Sequence, residues 1–209
     1  MKILNLYSGL GGNRALWGNN HNITAVENNN EIANIYKDYF PNDLVIIDNA
    51  HSYLLKHYKE YDFIWASPPC QSHSRARHSS KNKESFNPVY PNMNLYQEII
   101  FLKNHFKGNW LIENVIPYYE PLIKPNYKIG RHLIWCNFAI DVIKFIDNSS
   151  IDWIKGTDCH YGFDLKNYKL KVRKQQILRN CVNPDLSKYI LDYLINNKFN
   201  PVTKQLKLI

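Results

Sequence analysis

The chain has 209 residues, 44% of them hydrophobic, with 26 Lys and Arg against 18 Asp and Glu and a formal net charge of +8. That length suits one domain with a single sizeable core, no apolar run is long enough to span a membrane, and the first residues lack the pattern of a secretory signal, so the expected setting is intracellular and cytoplasmic. The 4 cysteines include no Cys-x-x-Cys pair, which argues against a disulfide framework or a zinc site, while the positive charge favours a polyanionic partner without saying which.

The first element is a short apolar strand, Lys2 to Tyr7. Gly9, Gly11 and Gly12 turn it into the segment 13–19, where glycines allow close backbone approach and a following helix would offer free N–H groups to a ligand. An ordinary tight turn is the competing reading, because the full dinucleotide-binding spacing is missing. Asn22 to Val26 reads as the second strand and ends on Glu27. An acid there suits two ribose hydroxyls, or simply favours the dipole of a helix over 28–40. Leu44 to Ile47 is the third strand, and Asp48-Asn49-Ala50 reads equally as a ligand-facing end or as the cap of a helix over 51–58. The alternation implies parallel strands joined by right-handed crossovers, an α/β fold.

The fourth strand, Tyr61 to Trp65, runs into Ala66-Ser67-Pro68-Pro69-Cys70-Gln71-Ser72-His73-Ser74. Proline fixes φ and restricts the residue before it, so this backbone delivers the Cys70 thiol in one direction. The carboxyl end of a strand is also where open α/β sheets place their ligand crevice. A small buried hydrophobe that happens to be cysteine is the bland alternative. Residues 75–92 form a long loop carrying Arg75, Arg77, His78, Lys81 and Lys83, which suits phosphate contact. A helix over 94–106 precedes the strand Trp110 to Ile112, which ends on Glu113-Asn114-Val115 at the same sheet edge as Cys70. A carboxyl at a buried strand end is costly to ionise, which suits a group that holds a proton; an internal ion pair is the alternative. Tyr127 to Phe138 is one or two strands with Arg131-His132 at the entry. The aromatics Trp153, Tyr161, Phe163 and Tyr168 and the bases Lys166, Lys169, Lys171, Arg173 and Lys174 follow, a mixture that suits nucleic acid or a small compact insertion. Asp158-Cys159-His160 is not read as a metal site, since a second ligand pair is missing. Asn183-Pro184 opens a last helix with an apolar face of Leu186, Ile190, Leu191 and Leu194.

Four stretches in this order, Tyr7-Ser8-Gly9-Leu10-Gly11-Gly12, the Pro68-Pro69-Cys70-Gln71 turn, Glu113-Asn114-Val115 and Arg179-Asn180-Cys181-Val182-Asn183-Pro184, resemble the cytosine-5 DNA methyltransferase family from Leu4 to about Leu194. The Pro-Cys-Gln and Glu-Asn-Val elements are the specific ones. The resemblance implies a Rossmann-like class I S-adenosylmethionine-dependent methyltransferase sheet with helices on both faces. It divides the chain into a catalytic and cofactor-binding core (1–136), a shortened target-recognition insertion (137–174) and a segment completing the core (175–209).

By the same resemblance, the cofactor is S-adenosylmethionine. Tyr7, Ser8, Gly9, Leu10, Gly11 and Gly12 would face its methionine moiety, Glu27 and Asn28 its ribose, and Asp48 and Asn49 its adenine, with Pro69, Asn180 and Val182 close by. Cys70 would be the nucleophile and Glu113 the group on ring nitrogen 3. Asn114 would keep the loop in register, Pro69 would meet the exocyclic amino group and Arg131 the ring carbonyl. Gln71, Ser74, Arg75, Arg77 and Lys81 would contact DNA around a flipped base. The family usually has two arginines where this chain has Gly130-Arg131-His132, so Arg131 or His132 can stand in, and Arg131 is preferred for its permanent charge. The expected partner is DNA, with RNA open through a related branch of the family. No membrane is expected, and the chain is taken as a monomer to which a recognition partner could add readout. A methyltransferase acting on exocyclic nitrogen would want an aromatic ring after Pro69, where this chain has cysteine. A non-catalytic binding protein would not need Cys70 and Glu113 intact.

Overall fold

Five short apolar runs, Lys2–Leu6 (β1), Asn22–Glu27 (β2), Leu44–Ile47 (β3), Phe63–Ala66 (β4) and Asn109–Val115 (β5), form the parallel part of a seven-stranded sheet. Tyr127–Ile129 (β6) and His132–Cys136 (β7) complete it with antiparallel pairings, in the order β3-β2-β1-β4-β5-β7-β6. The structure, a computed structural model, describes residues 1–75, 87–141 and 158–197. Its helices are Asn30–Tyr39 (α1), Ala50–His57 (α2), Asn94–His105 (α3), Lys174–Arg179 (α4) and Pro184–Asn196 (α5), and Cys159–His160 (β8) pairs with Phe163–Asp164 (β9) in a small hairpin.

Alternation along the central strands sorts the core into two layers. Leu4, Leu6, Ile64 and Ala66 face a cluster built with α2 and α3, including Leu54, Leu95, Ile99 and Leu102. Ile3, Phe63 and Trp65 face the opposite cluster, which α5 supplies with Leu186, Ile190, Leu191 and Leu194. Helices therefore cover both faces, and central strands buried on both sides read as unbroken apolar runs. The order of connection reverses between β1 and β4, which opens a crevice at their carboxyl ends. The sheet and helices form an open, Rossmann-like α/β fold, as the sequence implied.

No helix follows the glycine turn, against expectation. Between β1 and β2 the chain makes only short turns, with Ala15 N donating to Gly12 O and Trp17 N to Arg14 O. Glycines and asparagines are poor helix formers, and this stretch is held instead by tertiary bonds. Arg14 forms a buried fork with Asp43 (Nε–Oδ2 2.8 Å, Nη2–Oδ1 3.0 Å), and Trp17 Nε1 donates to Ser187 Oγ on α5 at 2.6 Å. The Ser187 hydroxyl donates in turn to the Asn13 carbonyl at 2.7 Å, so the two ends of the chain's core are tied together.

The helix expected over 28–40 begins at Asn30, with Asn29 accepting from Glu31 N and Ile32 N. The helix expected over 51–58 begins at Ala50 with Asn49 as its cap. The described part of 137–174 is not a separate unit. Its hairpin and the strap after it lie over α1: Asp164 N donates to the Tyr39 hydroxyl, Tyr168 OH to Asp38 at 3.0 Å, and Lys171 N to Glu31 at 3.1 Å. Phe163 and Leu165 share a third cluster with Leu10, Ile35, Ile177, Leu178 and Cys181.

Candidate active site

Each strand that ends at the crevice contributes one piece of a cavity of about 510 Å³, within the range of small-molecule sites. From β1 come Tyr7, Ser8, Gly9 and Leu10, from β2 Glu27 and Asn28, from β4 Ser67 to Gln71, and from β5 Glu113 to Val115. The β6–β7 turn adds Arg131 and His132, and the α4–α5 link adds Asn180, Cys181 and Val182.

At the end of the cavity formed by β1 and β2, the buried Glu27 carboxylate accepts from Gly9 N at 3.0 Å and from Asn29 N at 2.9 Å. Burial raises its proton affinity, and those backbone donors work against the rise. Gly11 and Gly12 do not line the cavity. A Cβ on Gly11, at φ +84°, would meet the Phe40 ring at 2.5 Å, and one on Gly12 the Val182 carbonyl at 2.6 Å. Both glycines admit neighbouring protein rather than a ligand. Asp48 and Asn49 are exposed and outside the lining. Asn49 Oδ1 is engaged by Ser52 N at 2.9 Å, and Asp48 Oδ1 accepts from Asn49 N.

At the other end, Cys70 is half-buried on a turn whose carbonyl accepts from His73 N (3.0 Å) and Ser74 N (2.9 Å). Pro68 is held by Asn114, whose Nδ2 donates to its carbonyl at 2.9 Å, while Asn114 Oδ1 accepts from Val115 N. His73 is buried, with Nδ1 2.5 Å from the Tyr119 hydroxyl, and burial lowers the proton affinity of its imidazole. The Cys70 thiol is pushed up, first by burial and then by the negative charge of Glu113, with Arg131 pulling it back down. Glu113 is buried, and its Oε2 lies 3.8 Å from His132 Nε2. Arg131 is exposed at the rim, and its Nη2 donates to the Arg179 carbonyl at 3.3 Å.

Of the residues read as DNA contacts, Gln71 and Ser74 line the cavity. Arg75 is exposed, and its Nε donates to the Pro117 carbonyl at 3.0 Å. Arg77 and Lys81 lie outside the described residues. Sequence reasoning missed Asn13, Asn29, Ile32, Val172, Gln176 and Ile177 in the lining and gave Arg179 no role of its own. Arg179 opens the Arg179-Asn180-Cys181-Val182 stretch and Gln176 stands three residues before it, a signal that could have found them; Ile32 and Val172 carry none. Among the described residues no group of acids, histidines and cysteines could hold a metal ion, and no helix is long and apolar enough to cross a membrane.

An S-adenosylmethionine-sized ligand fits this geometry. Besides the volume and the Glu27 carboxylate, the buried Ser8 hydroxyl beside the glycine turn has no hydrogen-bond partner within the protein, which calls for one from a bound molecule.

Comparison with known proteins gives a family model, C-5 cytosine-specific DNA methylase, matching residues 1–117, more than half of the chain. No curated protein matches. Among solved structures, the chain is similar to DNMT2 from Spodoptera frugiperda (30% identity over 55% of this chain and 35% of that one, TM-score 0.38). It is also similar to an S-adenosylmethionine-dependent methyltransferase from Agrobacterium tumefaciens (14% identity, 57% and 40%, TM-score 0.41). A third is a putative DNA modification methyltransferase encoded within an Escherichia coli prophage (22% identity, 57% and 34%, TM-score 0.38). The matched part spans about a third of the DNMT2 chain. On the family match, the chain belongs to the C-5 cytosine-specific DNA methylases, whose cofactor is S-adenosylmethionine.

Proposed function

We propose that the protein transfers a methyl group from S-adenosylmethionine to carbon 5 of cytosine in DNA, by way of a transient bond between the Cys70 sulfur and carbon 6. The observation that carries this reading is that Cys70, Glu113 and Arg131 line the same cavity as Ser8, Gly9 and Glu27. When bound, the cofactor supplies an electrophilic methyl group on a sulfonium.

The residues divide the remaining work. Cytosine carbon 5 is a weak nucleophile while the ring is aromatic. The Cys70 thiolate adds its electron pair to carbon 6, and the displaced ring electrons make carbon 5 nucleophilic. Glu113, ionised beside Cys70 in the free protein, takes up a proton with the incoming base and donates it, or a hydrogen bond, at ring nitrogen 3 as that charge develops. Arg131, always protonated, faces the ring carbonyl and also draws the thiol towards its ionised form. The Asn114–Pro68 bond keeps Glu113 and the nucleophile turn in register. Carbon 5 takes the methyl group, its proton leaves to water, and the returning ring electrons expel the Cys70 thiolate while nitrogen 3 gives its proton back to Glu113. The ring must be reached from outside a duplex stack, so the target base flips out, at a cost of about a few kcal/mol. Gln71 and Ser74 flank the space it would enter.

The test is incubation with duplex DNA carrying 5-fluorocytosine and labelled S-adenosylmethionine, with an RNA duplex in parallel. A denaturation-resistant adduct with DNA, absent in Cys70→Ala, is expected. Methyl transfer surviving Cys70→Ala would overturn the covalent route, and an adduct with RNA alone would move the substrate.

A further inference from the structure

Tyr7 and Tyr161 are the non-glycine residues with a left-handed backbone among those described, and Tyr7 has φ 56°. An L side chain resists that region, so surrounding structure has to impose it. The Tyr7 ring packs against the first core layer, and its hydroxyl donates to Oε1 of Glu98 on α3. Glu98 is 1% exposed. Its Oε1 also meets His51 Nδ1 of α2 at 2.9 Å, while Oε2 is buried with no hydrogen-bond partner. Burial raises the proton affinity of the Glu98 carboxyl, and Glu98 raises that of His51.

A carboxyl buried with one oxygen unsatisfied is poorly suited to stabilising a core, where an apolar side chain would avoid the desolvation. What Glu98 does have is a grip on Tyr7, at the point where β1 turns into the cavity. Beyond that reversal Ser8 N donates to Val26 O at 3.1 Å, and Gly9 N donates to Glu27 Oε2 at 3.0 Å. The path therefore runs from α2 and α3 through the Tyr7 hydroxyl to the backbone that orients Glu27 and presents Ser8.

We propose that Glu98, backed by His51, is a positioning residue for cofactor binding: it holds the Tyr7 hydroxyl and thereby the left-handed turn that sets Ser8, Gly9 and Glu27 around S-adenosylmethionine. Glu98 lies outside the cavity lining and acts only through Tyr7. The inference rests on the reading of this cavity as the cofactor site.

Calorimetric titration with S-adenosylhomocysteine tests it without turnover. Wild type, Tyr7→Phe, Glu98→Leu, the double variant and Glu98→Gln are compared, each first shown to be folded at the titration temperature by circular dichroism. Tyr7→Phe and Glu98→Leu each weaken binding by roughly tenfold, the value of one hydrogen bond to a charged group. The double variant is no weaker than either single, because both remove the same bond. Glu98→Gln, whose amide oxygen accepts from the Tyr7 hydroxyl, recovers most of the affinity. Wild-type affinity in Tyr7→Phe, or losses that add in the double variant, overturns the proposal; the Tyr7→Phe arm decides even if Glu98→Leu does not fold. Wild type that fails to bind overturns the cofactor reading and this proposal together, whereas unchanged variants beside a binding wild type overturn the positioning role alone.

Discussion

The Asn114 amide donates to the Pro68 carbonyl across 2.9 Å, joining the end of β5 to the turn that carries Cys70. This bond ties together the strand ends that carry Glu113 and Cys70, the proposed proton donor and nucleophile. Asn114→Ala leaves the Pro68 carbonyl unpaired in a buried setting, which costs about 1–3 kcal/mol in a urea unfolding curve. A nucleophile turn that drifts loses reactive geometry, so single-turnover methylation slows by about a hundredfold. Cofactor binding, measured by titration, stays near wild type because the proposed cofactor end around Glu27 is held by other bonds.

Thiol reactivity reports the charges around Cys70 without any nucleic acid. Burial and Glu113 push the thiol up and Arg131 pulls it down, so alkylation by iodoacetamide, followed at Cys70 by mass spectrometry, speeds up as pH rises towards and past its ordinary range. Arg131→Ala raises the thiol further and slows alkylation at pH 8. Glu113→Gln removes a negative neighbour and speeds it. Opposite signs for the two variants are the expected outcome; the same sign in both contradicts the assignment of charges.

Alkaline stability follows from two thiols the chemistry does not use. Burial pushes Cys136 and Cys181 up to about 12, against an ordinary thiol near 8.5. Their folded values exceed the unfolded ones, so their contribution is complete below the unfolded value and is lost as pH rises through the folded one. Between about pH 9 and pH 12 each thiol removes about 1.4 kcal/mol of unfolding free energy per pH unit. Urea curves from pH 8 to pH 10.5 show this slope, and Cys181→Ala reduces it.

Gly12→Ala separates packing from ligand contact in the glycine turn. The new methyl would lie 2.6 Å from the Val182 carbonyl and 2.8 Å from Cys181 Cβ. Backbone has to yield, and the wall formed by Asn180, Cys181 and Val182 moves with it. Cofactor affinity falls by about tenfold or more, together with the melting temperature, even though Gly12 does not touch the cavity. Retained affinity at a lowered melting temperature would show that the wall accommodates the methyl.

The parallel core was legible because its strands are apolar on both faces: Phe63–Ala66 is wholly buried and reads as an unbroken run. The strand-end motifs were legible too, since proline and glycine constrain backbone direction locally. The turn after β1 was misread as leading into a helix, because glycine serves close approach as readily as helix entry. Asn49 at the end of β3 is a cap in the structure, a reading the residues had allowed from the start. Glu98 gave no signal at all, since a glutamate within an amphipathic helix reads as a solvated face and its partner Tyr7 stands 91 residues away. The hairpin and strap over α1 were obscured by composition: among the lysines, Phe163 packs against Tyr39 and Phe40, and Tyr161 and Tyr168 lie against the same cluster.

Ser187 on the last helix grips the loop after β1 from both sides, through Trp17 and the Asn13 carbonyl. During synthesis the glycine turn and the nucleophile emerge long before that helix. A chain that ends at β5 lacks Asn180, Cys181 and Val182, which line one side of the cavity. The loop after β1 therefore lacks both of its Ser187 bonds until α5 has docked.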